Sequence, residues 1–104
     1  MIELQSKEQF DELKQGNTVF LFTADWCPDC TFIHPFMPEV EQKFSQFTFV
    51  SVDRDKFIEI CQEMDVFGIP SFIVFEHGLE TKRYVNKDRK TQQQIEEFLD
   101  GSLA

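Results

Sequence analysis

Residues 19–30, VFLFTADWCPDC, hold most of the information about the fold. The apolar run at 19–22 is typical of a strand that is covered on both faces. Pro28 is suited to the first position of a helix, and Cys27 and Cys30 lie on either side of that start. The segment therefore predicts a buried strand that leads directly into a helix, with a C-x-x-C pair at the junction.

This placement predicts different roles for the two thiols. Cys27 falls at or just before the first helical turn, where unpaired backbone N–H groups and the helix dipole favour an anion, so its nucleophilic thiolate is available near neutral pH. Cys30 begins an apolar helical stripe, and we expect it to be shielded and less ionised. An exposed attacking thiol and a buried resolving thiol are what dithiol exchange requires.

Composition limits the class of protein. The 104 residues predict one domain over 1–104, and Lys+Arg 10 against Asp+Glu 19 gives a net charge of −9. That charge argues against sequence-independent binding to nucleic acid or to an anionic membrane.

Three cysteines are too few for a disulfide-rich secreted scaffold. Neither a signal peptide nor an apolar run of the roughly 20 residues that span a bilayer is visible. We therefore expect a cytoplasmic protein whose paired cysteines are redox-active or metal-binding.

The remaining chain alternates between strand and helix patterns. Apolar or alternating runs predict strands at 2–4, 19–22, 47–52, 72–75 and 79–85, with a turn at His77-Gly78 before the last. Capping boxes at Ser6 and Thr91 predict the first and last helices. Pro35 and Pro38 predict a kink or break in the second helix, because each removes a backbone donor.

Helical spacing also indicates which side chains are buried. The inward positions predicted for the four helices are Phe10, Leu13, Cys30, Ile33, Met37, Val40, Phe44, Phe57, Ile60, Cys61, Met64, Ile95, Phe98, Leu99 and Leu103. The element order is then βαβαβαββα. Parallel crossovers followed by an antiparallel hairpin predict an α/β protein with a mixed central sheet and helices on both faces.

Two other interpretations of the C-x-x-C pair are weaker. A zinc site needs four ligands, and only Cys61, His34 and His77 remain as nitrogen or sulfur candidates, without a second C-x-x-C. An inert pair of core cysteines does not fit a first cysteine that Trp26 and Pro28 place at an exposed helix start. The redox interpretation is favoured.

The chain resembles the thioredoxin family over nearly its whole length. The matching features are Trp26-Cys27-Pro28-Asp29-Cys30, Pro35, Asp53, Ile69-Pro70-Ser71, Gly78 and the Phe98-Leu99-Asp100 ending. This resemblance implies the thioredoxin fold. It also implies a cis peptide bond before Pro70 that faces the cysteines and leaves the Ile69 backbone free to pair with an extended substrate. Spacing alone leaves open an ordinary proline at the start of a strand.

The resemblance further implies a thiol–disulfide oxidoreductase that reduces protein or small-molecule disulfides. Trp26, Ile69 and Pro70 would shape the docking surface. No bound cofactor is needed, because the Cys27–Cys30 pair is itself the redox centre, and a flavin-containing reductase of the thioredoxin-reductase type is the implied electron donor. We expect a monomer. The alternative is a thioredoxin-like binding or adaptor module with slow or specialised chemistry.

Three departures from the family pattern affect the site. The family's buried Asp on the central strand and its Lys on the next strand correspond to Leu21 and Phe49, so proton transfer at Cys30 must use water or another group. The family's Gly near the substrate groove corresponds to Asn86, whose side chain is expected to narrow or reshape that groove. Pro28-Asp29 replaces Gly-Pro between the cysteines.

Acidic and imidazole side chains beside the pair are candidate modulators. Asp29 either complements the helix dipole or disfavours the neighbouring thiolate and relays its proton. With Asp25 it is predicted to make the rim selective against acidic partners. His34, four residues after Cys30, either borders and tunes the site or is a surface histidine. Cys61 is interpreted as a packed core thiol.

Overall fold

A computed structural model describes residues 1–101, which form a five-stranded mixed sheet in the order β1-β3-β2-β4-β5. The strands are β1 (Ile2–Glu3), β2 (Asn17–Thr23), β3 (Thr48–Asp53), β4 (Ser71–Glu76) and β5 (Leu79–Tyr84). β3 pairs in parallel with β1 and β2, whereas β4 pairs antiparallel with β2 and β5. The predicted α/β class and mixed sheet are confirmed.

Five helices and one short 3-10 helix connect and flank these strands. They are α1 (Lys7–Leu13), α2 (Pro28–Ile33), a 3-10 helix (His34–Phe36), α3 (Met37–Lys43), α4 (Ile58–Glu63) and α5 (Gln92–Asp100). The predicted interruption by Pro35 and Pro38 is confirmed, because the long second helix is divided into α2, the 3-10 helix and α3. Among residues 1–101, no helix is long and apolar enough to cross a membrane.

The sheet separates two apolar layers, and β2 contributes to both. Phe20 and Phe22 belong to the layer beneath α1 and α4, which also contains both cysteines of the pair. Leu21 belongs to the opposite layer, beneath α3 and α5. Successive side chains of a strand point to opposite faces, so one continuous apolar strand supplies both cores. β2 thereby holds the start of α2 between two packed layers.

Two details differ from the sequence prediction. Ser6 Oγ accepts from the Gln9 N–H at 3.1 Å, but Gln9 Oε1 accepts from Gln5 N at 2.7 Å instead of from the N-cap residue. The reciprocal capping box is therefore complete only at Thr91, where both hydrogen bonds to Gln94 are present. Of the inward positions predicted for the helices, four are only half-buried, namely Leu13, Phe44, Phe57 and Met64, and Leu103 lies outside the described residues.

Candidate functional site

The two cysteines lie at the junction that the sequence predicts. Cys27 is the N-cap residue of α2, and its Sγ accepts a hydrogen bond from the Cys30 N–H at 3.3 Å. Both side chains are free thiols and belong to one apolar layer. Cys27 is less open than predicted: it is 6% exposed, against 0% for Cys30, because the same layer packs around both thiols. The expected order of exposure holds, but the attacking thiol presents only a small surface to solvent.

Burial strongly disfavours ionisation of Cys30. Loss of water, followed by its hydrogen bond with Cys27, raises the pKa of the Cys30 thiol from 9.0 to about 11. A hydrogen bond from the Thr23 hydroxyl acts in the opposite direction. No sequence pattern marks Thr23, which ends β2 as an ordinary strand residue. A neutral resolving thiol beside the first cysteine is the arrangement expected of a dithiol pair.

Residues 69–70 form a second wall of the site. The Ile69–Pro70 peptide bond is cis, as the resemblance implied. Ile69 is 9% exposed and packs in the same apolar layer as Cys27 and Cys30. The structure thus brings together the dithiol and the proline segment, which are far apart in sequence.

Trp26 forms an exposed part of the rim. Trp26 is 61% exposed, and its Nε1–H donates to Asp55 Oδ2 at 2.7 Å. The guanidinium carbon of Arg54 lies 5.7 Å from the ring centroid. These contacts fix the orientation of an apolar surface next to Cys27. Neither Asp55 nor Arg54 is marked by any local sequence pattern.

Asp29 has a partner that sequence analysis did not identify. Its Oδ1 accepts from Arg89 Nε at 2.9 Å, and the Arg89 guanidinium carbon stands 4.3 Å from the centroid of the Phe32 ring. The negative charge of Asp29 is therefore compensated by a cation from the loop that precedes α5. This pair weakens the predicted acidic rim, because Asp25 and Asp29 do not act as two uncompensated charges.

Asp25 and His34 line a different feature, a cavity of about 390 Å³ beside the start of α2. Its walls also include Leu21 and Thr23. His34 is exposed at this wall, which is consistent with either a bordering or a surface role. Because Thr23 both bonds the Cys30 thiol and lines the cavity, it connects the buried thiol to a space that admits water.

The residues that replace the family's buried ion pair are packed as apolar core. Leu21 is 2% exposed and Phe49 is 5% exposed, and both belong to one layer of the core. Phe49 pairs in register with Val19 on β2, not with Leu21. Both positions are therefore apolar in the packed core, as expected from the paired loss of the two polar groups.

Asn86 is turned toward its own loop. Its Oδ1 accepts from Lys90 Nζ at 2.8 Å and from the Asp88 N–H at 3.0 Å, while its carbonyl accepts from Ser71 Oγ at 3.2 Å. A Cβ at Gly68 would meet the Asn86 backbone at 2.6 Å. Residues 86–90 are thus packed tightly against the segment that contains Pro70.

Metal-binding residues do not converge around the pair. Within residues 1–101, no group of three or more His, Cys, Asp or Glu side chains has an arrangement that would hold a metal ion. Cys61 lies on α4 in the same apolar layer as the dithiol, and burial raises the pKa of its thiol. It occupies the core position that its helical spacing predicts.

The fold and the dithiol at the β2–α2 junction together define a protein of the thioredoxin-fold class. The sequence model of the thioredoxin family matches residues 1–101, and the chain belongs to that family. The crystal structure of thioredoxin from Trypanosoma brucei brucei superposes with a TM-score of 0.87 at 26% identity, covering 99% of this chain and 90% of that one.

Curated relatives agree with this assignment. Mitochondrial thioredoxin-2 of Schizosaccharomyces pombe is 36% identical over 74 residues, which are 71% of this chain and 56% of that protein. The thioredoxin of Mycoplasma genitalium is 30% identical over 92 residues, covering 86% of this chain and 90% of that protein. The chain thus spans little more than half of the fission-yeast protein. Because the relatives include mitochondrial and chloroplastic proteins, the cytoplasmic location of this chain stays a prediction.

Proposed function

We propose that the protein is a thiol–disulfide oxidoreductase that works as a disulfide reductase through the Cys27–Cys30 dithiol. The observation that carries the proposal is the asymmetry of two adjacent thiols. Cys27 keeps a small exposed surface, whereas Cys30 is fully buried and burial raises its pKa to about 11. Membership of a family of protein-disulfide oxidoreductases supports the same chemistry.

The reaction runs in two exchanges. The Cys27 thiolate attacks one sulfur of a substrate disulfide, the substrate S–S bond breaks, and the leaving sulfur takes up a proton. Cys30 then loses its proton, and its sulfur attacks Cys27, forming the intramolecular disulfide and releasing the second substrate thiol. Two electrons pass from the dithiol to the substrate. A flavoenzyme of the thioredoxin-reductase type would return them in each cycle.

The rim residues fit the docking of an extended disulfide substrate. Trp26 offers an exposed ring whose orientation is set by the 2.7 Å hydrogen bond to Asp55. Ile69 and Pro70 stand against the same layer as the dithiol, so a peptide that pairs with the Ile69 backbone would bring its disulfide to Cys27. We assign Trp26, Ile69 and Pro70 to substrate binding. The substrates expected are protein or small-molecule disulfides.

Trapping of the mixed disulfide tests the assigned roles. Cys30→Ser cannot resolve the intermediate, so we expect it to accumulate partners joined covalently to Cys27. Cys27→Ser lacks the attacking thiol and serves as the matched control. Equal trapping by the two variants, measured by non-reducing electrophoresis and mass spectrometry, would contradict the assignment.

An adaptor module is the second candidate. The observation in its favour is the apolar replacement of the buried ion pair by Leu21 and Phe49, which removes a proton relay for Cys30. A turnover assay coupled to a thioredoxin reductase separates the two functions. A reductase consumes reducing equivalents in proportion to added disulfide, whereas an adaptor binds its partner stoichiometrically and shows no thiol turnover.

A further inference from the structure

An exposed arginine on the loop between β5 and α5 lies against the dithiol helix. Arg89 Nε donates to Asp29 Oδ1 at 2.9 Å, and the guanidinium carbon stands 4.3 Å from the centroid of the Phe32 ring. Asp29 and Phe32 follow Cys27 by two and five residues. The guanidinium is therefore held beside the helix that begins at the attacking cysteine.

The loop that carries Arg89 is fixed to the body of the protein. Its neighbour Lys90 is 0% exposed, and Lys90 Nζ donates to Asn86 Oδ1 and to the Asp88 carbonyl, both at 2.8 Å. The Asn86 carbonyl in turn accepts from Ser71 Oγ at 3.2 Å, which ties the loop to the start of β4. Because the backbone is already ordered, a ligand of Arg89 would pay little to order it.

Stability does not account for the ion pair between Arg89 and Asp29. The two side chains are 53% and 36% exposed, and ion pairs that are exposed to this degree contribute little to folding. Among residues 1–101, Arg89 donates one hydrogen bond to the protein, through Nε. The edge formed by its two terminal amino groups has no partner in that part of the chain, and this edge binds carboxylates in bidentate geometry.

The surrounding charge gives this edge a use. An anionic substrate would otherwise meet the carboxylates of Asp25 and Asp29 on a protein of net charge −9. Arg89 compensates the charge of Asp29 and still offers donors to a further anion. The Phe32 ring, which is 41% exposed, supports the guanidinium from the helix.

We propose that Arg89 binds a carboxylate that the substrate carries next to its reacting cysteine, so that the site accepts acidic disulfide peptides. This inference rests on the proposed reductase function and names a substrate class for it. The carboxylate takes the terminal amino groups of Arg89 while Nε continues to donate to Asp29. In the competing role, Arg89 only compensates Asp29 and contacts no substrate.

Two blocked peptides that differ in one residue separate these roles. Both are acetylated and amidated, carry Glu or Gln beside a single cysteine, and are joined through that cysteine to pyridine-2-thiol as a mixed disulfide. The Cys27 thiolate attacks the peptide sulfur, the S–S bond breaks, and pyridine-2-thione leaves with the bonding electrons. Cys30 then loses its proton and attacks Cys27, which releases the peptide thiol. The readout is the second-order rate constant of pyridinethione release, measured by stopped-flow absorbance with the reduced protein.

We expect the wild type to react about threefold faster with the Glu peptide than with the Gln peptide, the range of an exposed ion pair. Arg89→Met removes the donors, so the ratio of the two rate constants should fall to one or below. Lys82→Met makes the same change in net charge and is the matched control. Because Lys82 Nζ donates to the Leu99 carbonyl at 3.0 Å, away from α2, that variant should keep the wild-type ratio.

Three results would overturn the proposal. They are a wild type that does not favour the Glu peptide, an Arg89→Met ratio equal to that of the wild type, and an equal fall in Lys82→Met, which would assign the effect to net charge. The Gln peptide tests the dithiol chemistry alone, because it has no carboxylate beside the disulfide. If the Gln peptide is not reduced, the proposed function itself fails, whereas its normal reduction with a ratio independent of Arg89 rejects the carboxylate site only.

Discussion

Ionisation of Cys30 should make the reduced protein less stable in alkaline solution, and Cys30→Ser should remove that effect. The folded-state pKa of Cys30 is raised from 9.0 to about 11, chiefly because the thiol is buried. A group with a raised folded pKa contributes stability that is complete below its unfolded pKa. That contribution is lost as the pH rises toward the folded pKa.

The magnitude follows from the shift. A difference between 9.0 and about 11 corresponds to about 2–3 kcal/mol of unfolding free energy, at about 1.4 kcal/mol for each pKa unit. The loss is therefore expected between about pH 9 and about pH 11, with little change below that window. Cys61, whose pKa is also raised by burial, is present in both proteins and cancels in the comparison.

The assay is urea unfolding followed by far-ultraviolet circular dichroism, under reducing conditions, at a series of pH values. Wild type should lose about 2–3 kcal/mol more than Cys30→Ser across the window. A constant offset between the proteins reports the exchange of sulfur for oxygen and has no bearing on the test. Parallel stability curves throughout the alkaline range would refute the argument that burial keeps Cys30 neutral.

Other predictions concern the supports of the site. Gly68→Ala would place a Cβ 2.6 Å from backbone atoms of the facing loop, so we expect it to lower the free energy of unfolding by about 1–3 kcal/mol in urea. Gly16→Ala is the control, because the nearest atoms to its Cβ are 3.9 Å away and its stability should change little. A double-mutant cycle of Asp29→Asn and Arg89→Met should give a coupling below about 1 kcal/mol, because the pair is largely exposed; a larger value would indicate a stronger role in stability. Thr91→Ala removes an N-cap and should cost about 1 kcal/mol in the same unfolding assay, so an unchanged urea midpoint would exclude a stabilising cap.

Local patterns predicted the parts of the fold that depend on neighbouring residues. The apolar run of β2 and the proline at the start of α2 define the junction, and the spacing of Cys30, Ile33, Met37 and Val40 identified a stripe that is buried in the structure. Pro35 and Pro38 identified the interruption of that helix. Each of these signals acts within about one to two helical turns, which is the range that sequence periodicity reports.

The contacts that complete the site lie beyond that range. Asp29 and Arg89 are 60 residues apart, and Trp26 and Asp55 are 29 apart. Their pairing depends on the sheet order, which places the loop before α5 beside α2. Lys90 is harder still to predict, since a lysine between a strand and a capping box is normally a solvated loop residue. Only the packed structure shows that its ammonium is enclosed.

The apolar residues at Leu21 and Phe49 change where charge can be held near the dithiol. An acid at Leu21, which is 2% exposed, would be buried beneath α3 and α5 and would need a charged partner to offset its desolvation. The two apolar side chains avoid that cost, but they leave Cys30 without a carboxylate from the central strand. Thr23 is then the polar side chain that both contacts the Cys30 thiol and reaches the 390 Å³ cavity. In this chain, proton exchange at the resolving thiol is therefore expected to run through a hydroxyl and cavity water.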